Sequence, residues 1–255
     1  MYDMPPEIDI RADGALRIIT LNRPDELNAV NDALHVGLAR LWEALNEDAD
    51  ARAAVITGAG RAFSAGGDFN YLDELRNDEA LRQKTIKHGR DIVIGMVRCR
   101  MPVVAAVNGP AVGLGCSLAA LSDVVYIADG AFFADPHVSI GLVAADGGPL
   151  VWGSQISLLQ AKEFALTGVR INAQRAVELG MANHVVEDPL AEAIACAKKL
   201  IELPRQAVEA TKRLMNLQLE KSVLASLDYA NLAEYVSFGT TDFNKIVDGL
   251  IAKNT

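Results

Sequence analysis

The spacing of apolar positions changes several times along the chain, and each change marks an element. Glu7 to Arg11 and Ala15 to Leu21 alternate or run apolar on either side of Asp13-Gly14. That pattern predicts a β-hairpin, whose second strand breaks at Asn22-Arg23-Pro24. Val30, Leu34, Leu38, Leu41, Trp42 and Leu45 then recur at helical spacing. They predict a helix of about four turns, with Asn28 or Asn31 as its cap. Ala53 to Thr57 reads as a strand, the largely polar Tyr71 to Arg90 as a surface helix, and Val103 to Val107 as a buried strand. Two further short strands are expected at Val124 to Ala128 and Ala131 to Ala134. From Gln160 onward helical patterns dominate, including a long stretch from Ala207 to Phe238 after Leu203-Pro204.

Strand, turn and helix recurring through residues 7–160 argue for an α/β core with parallel or mixed strands. The helical last third argues for a packing or assembly segment, and no low-complexity linker or clean repeat divides the chain. We therefore expect one functional unit.

Two of the turns are glycine-rich: AFSAGGD at 62–68 and VNGPAVGLGCS at 107–117, each after an apolar run. Glycine lets main chain approach a ligand closely, and two such turns can aim backbone N–H groups at one point. Donors fixed on a scaffold and aimed at a developing oxyanion are usually the largest electrostatic contribution to catalysis. The pair thus suits an enolate.

Composition narrows the partners. The 255 residues carry a net charge of −9, with 51% hydrophobic and 22% charged residues, an ordinary globular balance with a sizeable core. The acidic balance argues against nucleic acid or an anionic membrane surface as partner. Residues 1–10 show neither a cationic nor an apolar leader pattern, and no run reaches membrane-spanning length; a cytoplasmic location is expected. Cys99, Cys116 and Cys196 form no C-x-x-C pair, so free thiols and no structural zinc or other metal are expected. Neither glycine turn reads as a nucleotide site. No Gly-Lys-Ser/Thr follows the first, and Leu118 stands where a dinucleotide fingerprint needs its third glycine.

Four ordered segments, LNRPDELNAV (21–30), AFSAGGD (62–68), NGPAVGLGCS (108–117) and AKEFALTGVRINAQRAVELGMANHVV (161–186), resemble the enoyl-CoA hydratase/isomerase, or crotonase, superfamily over nearly the whole chain. The resemblance implies an α/β fold: a crotonase-like spiral of β-β-α units over 1–200, then a C-terminal helical trimerisation region over 201–255. A homotrimer or dimer of trimers is implied, with an oxyanion hole formed by the N–H groups of Gly67 and Leu114. Ala65, Gly66, Gly113, Ser117 and Trp152 are the implied substrate-binding positions. The substrate would be an acyl-CoA, with coenzyme A part of the substrate and no separate cofactor.

The departures bear on the chemistry. Hydratases of the family use two glutamates to hold and activate water, and here those positions are Ser117 and His137. Asp146, in DPHVSIGLVAADGG (135–148), is a replacement carboxylate, and His137 with Asp146 makes a competent acid/base pair. This pairing, with Val151-Trp152 beyond it, is similar to the superfamily's hydrolases of carbon–carbon bonds in cyclic 1,3-diketones, which need no coenzyme A. Where family members often carry a phosphate-binding lysine, this chain has Asp25-Glu26, although Arg23, Lys84 or Lys87 could supply a cation. Three readings follow: an acyl-CoA enzyme with Asp146 and His137 as acid and base, a diketone hydrolase using the same residues, and a catalytically silent binding or assembly module. Asp68 and the histidines His35, His88 and His184 are expected to be structural.

Overall fold

A computed structural model describes residues 2–254, with side chains to 252. The chain runs β1 (Ile8–Asp13), β2 (Leu16–Leu21), α1 (Asp32–Glu47), β3 (Ala53–Gly58), α2 (Phe69–Asn77), α3 (Glu79–Arg98), β4 (Val103–Val107), β5 (Ala111–Val112) and α4 (Leu114–Ala120). It continues through β6 (Val124–Ala128), β7 (Phe132–Ala134), α5 (Gly148–Gln155), α6 (Leu158–Thr167), β8 (Ile171–Asn172), α7 (Ala173–Leu179) and β9 (His184–Val186). Three helices close it: α8 (Pro189–Glu202), α9 (Arg205–Ser237) and α10 (Thr241–Asn254).

One sheet has the order β1-β2-β3-β4-β6-β9 and a second the order β5-β7-β8. The β1–β2 hairpin is antiparallel, turning at Gly14 with φ +59°, and every later pair of the large sheet is parallel. A parallel sheet is buried on both faces, and β3 and β4 accordingly have no exposed residue. On one face α1 and α3 pack through Leu34, Leu38, Leu41, Trp42, Ile92 and Met96. On the other, Ala193 and Ala197 of α8 meet Leu16, Ile18, Val55 and Val104.

The α1–α3 approach depends on Gly95, where a Cβ would stand 2.8 Å from Trp42 Cβ. Asn31 caps α1, accepting from Leu34 N at 2.9 Å, and Asn28 does not. Asn28 instead adopts φ +55° and ties two loops together.

The expected surface helix over 71–90 is two helices. Asp78 is extended (φ −118°); its N–H closes α2 on Glu74 O and its carboxylate caps α3 at Leu81 N, 3.0 Å away. Nor is α2 a surface element, because Tyr71, Leu72 and Leu75 are buried with Phe238, Phe243 and Val247 beneath the α9–α10 corner. Phe238 and Phe243 meet edge to face at 5.3 Å. Arg76 pins α10 in place, bonding Asp248 at 2.7 Å and Asn244 O at 3.0 Å.

The helical last third also contains β8 and β9, too short to stand out from the helical patterns around them. All three cysteines are free thiols. Among the described residues no helix is long and apolar enough to cross a membrane.

Candidate functional site

The two glycine turns are stitched to each other. Phe63 and Ser64 donate to Pro110 O, Val112 donates to Ser64 O at 2.9 Å, and Ser64 bridges Ala111. Glycine is required where the turns cross. Gly66 has φ +86° and a Cβ there would meet Val112 O at 3.1 Å; Gly113 has φ +52° and its Cβ would stand 3.7 Å from Gly66 Cα. An L side chain at either position would be strained by the positive φ, and at Gly66 it would also crowd Val112 O.

The LNRPDELN segment braces the first turn from outside. Asn28 Nδ2 donates to Ala59 O and Ala62 O at 2.9 Å each, and Ser64 Oγ donates to Asn28 O at 2.8 Å. Arg23 pairs with Asp68 at 3.1 Å, and Asp68 caps α2 by accepting from Asn70 N. Asp68 is thus held as a structural residue, as expected.

This bracing leaves two donors unspent. Val30 bridges the first turn by donating to Gly66 O and accepting from Asp68 N. Alternation along an extended segment turns the N–H of the intervening Gly67 away from Val30. Leu114 opens α4, so its N–H has no acceptor within the helix. Neither N–H donates to any acceptor among the described residues.

Both residues line a cavity of about 310 Å³, in the size range of small-molecule sites, together with Ala65, Gly66, Gly113, His137 and Asp146. Leu72, Leu75, Leu142 and Phe238 give much of the wall its apolar character. Two residues placed at the site by resemblance do not reach this wall. Trp152 is fully buried in the main core, because α5 turns it inward. Ser117 is fully buried behind Asp146, and its Oγ bonds Asp146 Oδ1 at 2.7 Å while accepting from Gly148 N at 2.8 Å.

His137 stands between two carboxylates. Its Nδ1 lies 2.6 Å from Asp135 Oδ1 and its Nε2 lies 3.6 Å from Asp146 Oδ2. Burial alone would lower the imidazole's pKa, but the charges of Asp135 and Asp146 and the Asp135 hydrogen bond hold it up at about 10. Burial raises Asp146 above the ordinary carboxylate range, against the pull of His137. At neutral pH the ring is therefore an imidazolium, a proton donor. The donor atoms of Asp135, His137 and Asp146 lie within 4.8 Å of one another. The carboxylates nevertheless face opposite ring nitrogens, a layout that shares protons rather than one that converges on an ion.

Two participants escaped the sequence reading. Asp135 precedes His137 by one intervening proline, and the D-x-H spacing was the available signal. Glu234 projects into the cavity from α9, far along the chain, and nothing local marks it. Burial foremost, with Asp146 and Asp135 adding, pushes Glu234 up to about 8 against the opposing charge of His137, so it too holds a proton at neutral pH. His35 likewise lines the cavity rather than being a satisfied core residue.

A second cavity, about 380 Å³, adjoins the first through Ala65, Gly67 and Phe69. Glu26 and Asp68 line it, and no lysine or arginine does so among the described residues. Lys84 is engaged elsewhere, at 2.9 Å from Asp32.

Known proteins share this architecture. A mitochondrial enoyl-CoA hydratase of Pongo abelii is 32% identical over 92% of this chain and 81% of its own length. A probable mitochondrial enoyl-CoA hydratase of Dictyostelium discoideum is 29% identical over 95% of this chain and 87% of its own. The crystal structure of an enoyl-CoA hydratase/isomerase from Mycobacterium paratuberculosis superposes with a TM-score of 0.97 at 74% identity, covering 97% of this chain and 100% of that one. The family model for enoyl-CoA hydratase/isomerase matches residues 11–253. With its mixed α/β sheets, crossed glycine turns and closing helices, this chain belongs to the enoyl-CoA hydratase/isomerase family.

Proposed function

We propose that this chain forms and reprotonates an enolate on an acyl-CoA, with the Gly67 and Leu114 N–H groups holding the oxyanion. The observation that carries the reading is the pairing of His137 and Asp146 on the wall of the cavity that Gly67 and Leu114 also line, with Asp135 buried behind His137 and bonded to its Nδ1. Asp146 takes the proton α to the thioester carbonyl. The C–H electron pair moves into the C–C bond, and the carbonyl oxygen takes up negative charge against the two amides. The His137 imidazolium then returns a proton, and Asp135 holds the ring in the orientation that aims Nε2 inward. Ser117, itself held by the Gly148 N–H, steadies Asp146 by donating to Oδ1, leaving Oδ2 for the proton.

A second reading rests on the acidic adjoining cavity. A nucleotide phosphate would meet Glu26 there, with Asp68 already neutralised by Arg23 and no lysine or arginine among the described lining residues, an unfavourable setting. A substrate without coenzyme A, such as a cyclic 1,3-diketone, avoids it. In that case Asp146 activates water to attack one carbonyl, the carbon–carbon bond breaks, and the departing enolate is held by the same amides and protonated by His137.

The experiment is direct. α-Proton exchange of a saturated acyl-CoA in D₂O supports the first reading. Hydrolysis of a cyclic 1,3-diketone without such exchange moves the protein to the second, and neither activity overturns both.

Assembly and location belong to the same proposal. The C-terminal helices exposing Leu214, Leu217, Leu224 and Leu232 are read as the oligomerisation region of a homotrimer or dimer of trimers. A cytoplasmic location is proposed with it.

A further inference from the structure

The catalytic array uses one group of polar residues on the cavity wall; a second group is left over. His35 on α1, Tyr71 on α2 and Thr85 on α3 line the same cavity, and each is more than nine-tenths buried, at 7%, 5% and 8% exposure. No hydrogen bond connects them to Asp135, His137 or Asp146 among the described residues. They come from three helices, not from the glycine turns.

Their hydrogen bonding is incomplete in a particular way. Thr85 Oγ1 donates to Leu81 O at 2.9 Å, so its remaining capacity is to accept. The Tyr71 hydroxyl lies 2.5 Å from Thr85 Oγ1 and 3.4 Å from Asp32 Oδ1, so its one proton goes to these acceptors and, with Thr85 donating to Leu81, its oxygen keeps a lone pair for another donor. The His35 side chain makes no hydrogen bond among the described residues, and of its two ring nitrogens only Nδ1 is fully enclosed. An enclosed lone pair is tolerated better than an enclosed N–H, which favours the tautomer with its proton on Nε2. Burial, with the charges of His88 and Lys84 adding and that of Asp32 opposing, pushes the ring down to about 4, so it stays neutral at physiological pH. The cluster thus presents one neutral N–H donor and one hydroxyl acceptor within a largely apolar enclosure. A buried polar side chain with no partner costs free energy unless a ligand supplies one.

We propose that His35 and Tyr71 form a neutral polar subsite that binds a second oxygen of the substrate, a hydroxyl or an uncharged carbonyl, distinct from the carbonyl held by Gly67 and Leu114. The proposal rests on reading this cavity as the substrate site. A hydroxyl satisfies both partners, accepting from His35 and donating to Tyr71; a carbonyl satisfies His35 alone. A carboxylate is disfavoured, because Lys84, the lysine whose charge reaches His35, is already paired with Asp32 at 2.9 Å, and the Asp32 carboxylate beside Tyr71 would repel it. The subsite would make the enzyme discriminate against substrates that carry a plain hydrocarbon there.

The test is binding, which needs no turnover. Cyclohexanone, 4-hydroxycyclohexanone and cyclohexane-1,4-dione serve as probes, with dissociation constants and His35 ring ¹⁵N shifts read by NMR on the intact protein. The wild type should bind a two-oxygen probe about tenfold more tightly than cyclohexanone, as one added buried hydrogen bond implies. Only the two-oxygen probes should shift the His35 ring nitrogens. His35→Leu should erase the preference, and Tyr71→Phe should reduce it for the hydroxyl probe alone. Equal affinities in the wild type, unmoved His35 nitrogens, or a preference that survives His35→Leu would overturn the proposal. If His35→Leu does not fold, the wild-type shifts decide. Failure of the enolate reading shows elsewhere, in an Asp146→Asn enzyme that turns over normally.

Discussion

Asp135 holds His137 Nδ1 at 2.6 Å, and this contact decides which way the imidazole works. With its outer nitrogen tied to a carboxylate, the ring carries a proton at neutral pH and offers Nε2–H toward Asp146 and the cavity. In the proposed mechanism, the histidine that stands in the place of a family glutamate therefore serves as the acid and Asp146 as the base.

Removing the Asp135 charge should return His137 toward an unperturbed imidazole near 6.5. In the wild type the alkaline limb of the pH–rate profile is expected near 10, where His137 loses its proton. Asp135→Asn should bring that limb down, with Asp146 still holding the ring partly raised, and KM should change less than kcat. A profile whose alkaline limb stays in place would deny Asp135 a positioning role.

Asp146→Asn keeps the side chain's size and its contact with Ser117 but removes the base. Turnover of the true substrate should fall by roughly 10²–10⁴-fold while binding changes little. Steady-state kinetics on the purified variant checks this, and unchanged kcat would reduce Asp146 to a structural residue.

Glu234 makes stability depend on pH. Its folded-state value of about 8 lies above the unfolded value near 4.3, so the folded protein binds the extra proton between them. Its contribution is fully present below the unfolded value and is lost as pH rises through about 8. Glu234→Gln cannot ionise, so urea unfolding should show the wild type losing stability relative to this variant between pH 5 and pH 8.5. Parallel profiles would contradict the assignment.

Hydration of crotonyl-CoA should be slow. Ser117 is buried and committed to Asp146, and His137 is cationic, so neither reproduces the glutamate pair that holds water. Loss of the conjugated thioester's absorbance at more than about 10³ s⁻¹, a rate of efficient enzymes, would refute this account.

The outer face of α9 should be covered in solution. Leu214 is 68% exposed and Leu232 64% exposed, with Leu217 and Leu224 between them, more apolar surface than a lone helix usually shows. Sedimentation at micromolar concentration should find a trimer or hexamer. A single monomeric species would remove the assembly proposal.

Local signals in the chain determined much of this protein. Alternation and glycine at 14 wrote the hairpin, 3.6-residue spacing wrote α1, and the two glycine turns announced close main-chain approach, because each depends on residues near one another in sequence. His137 and Asp146 were legible for the same reason, standing in one short stretch. The tertiary structure decided what distance along the chain conceals. It divided residues 71–90 at Asp78, since a helix's end depends on what its flanks pack against as well as on its polarity. It turned Trp152 into the core, and it brought Glu234 from α9 and His35 from α1 to one cavity. Burial raised one of these groups to about 8 and lowered the other to about 4. Proton affinity in an enclosed site is a property of the surroundings, and those surroundings exist only once the helices have closed over the sheet.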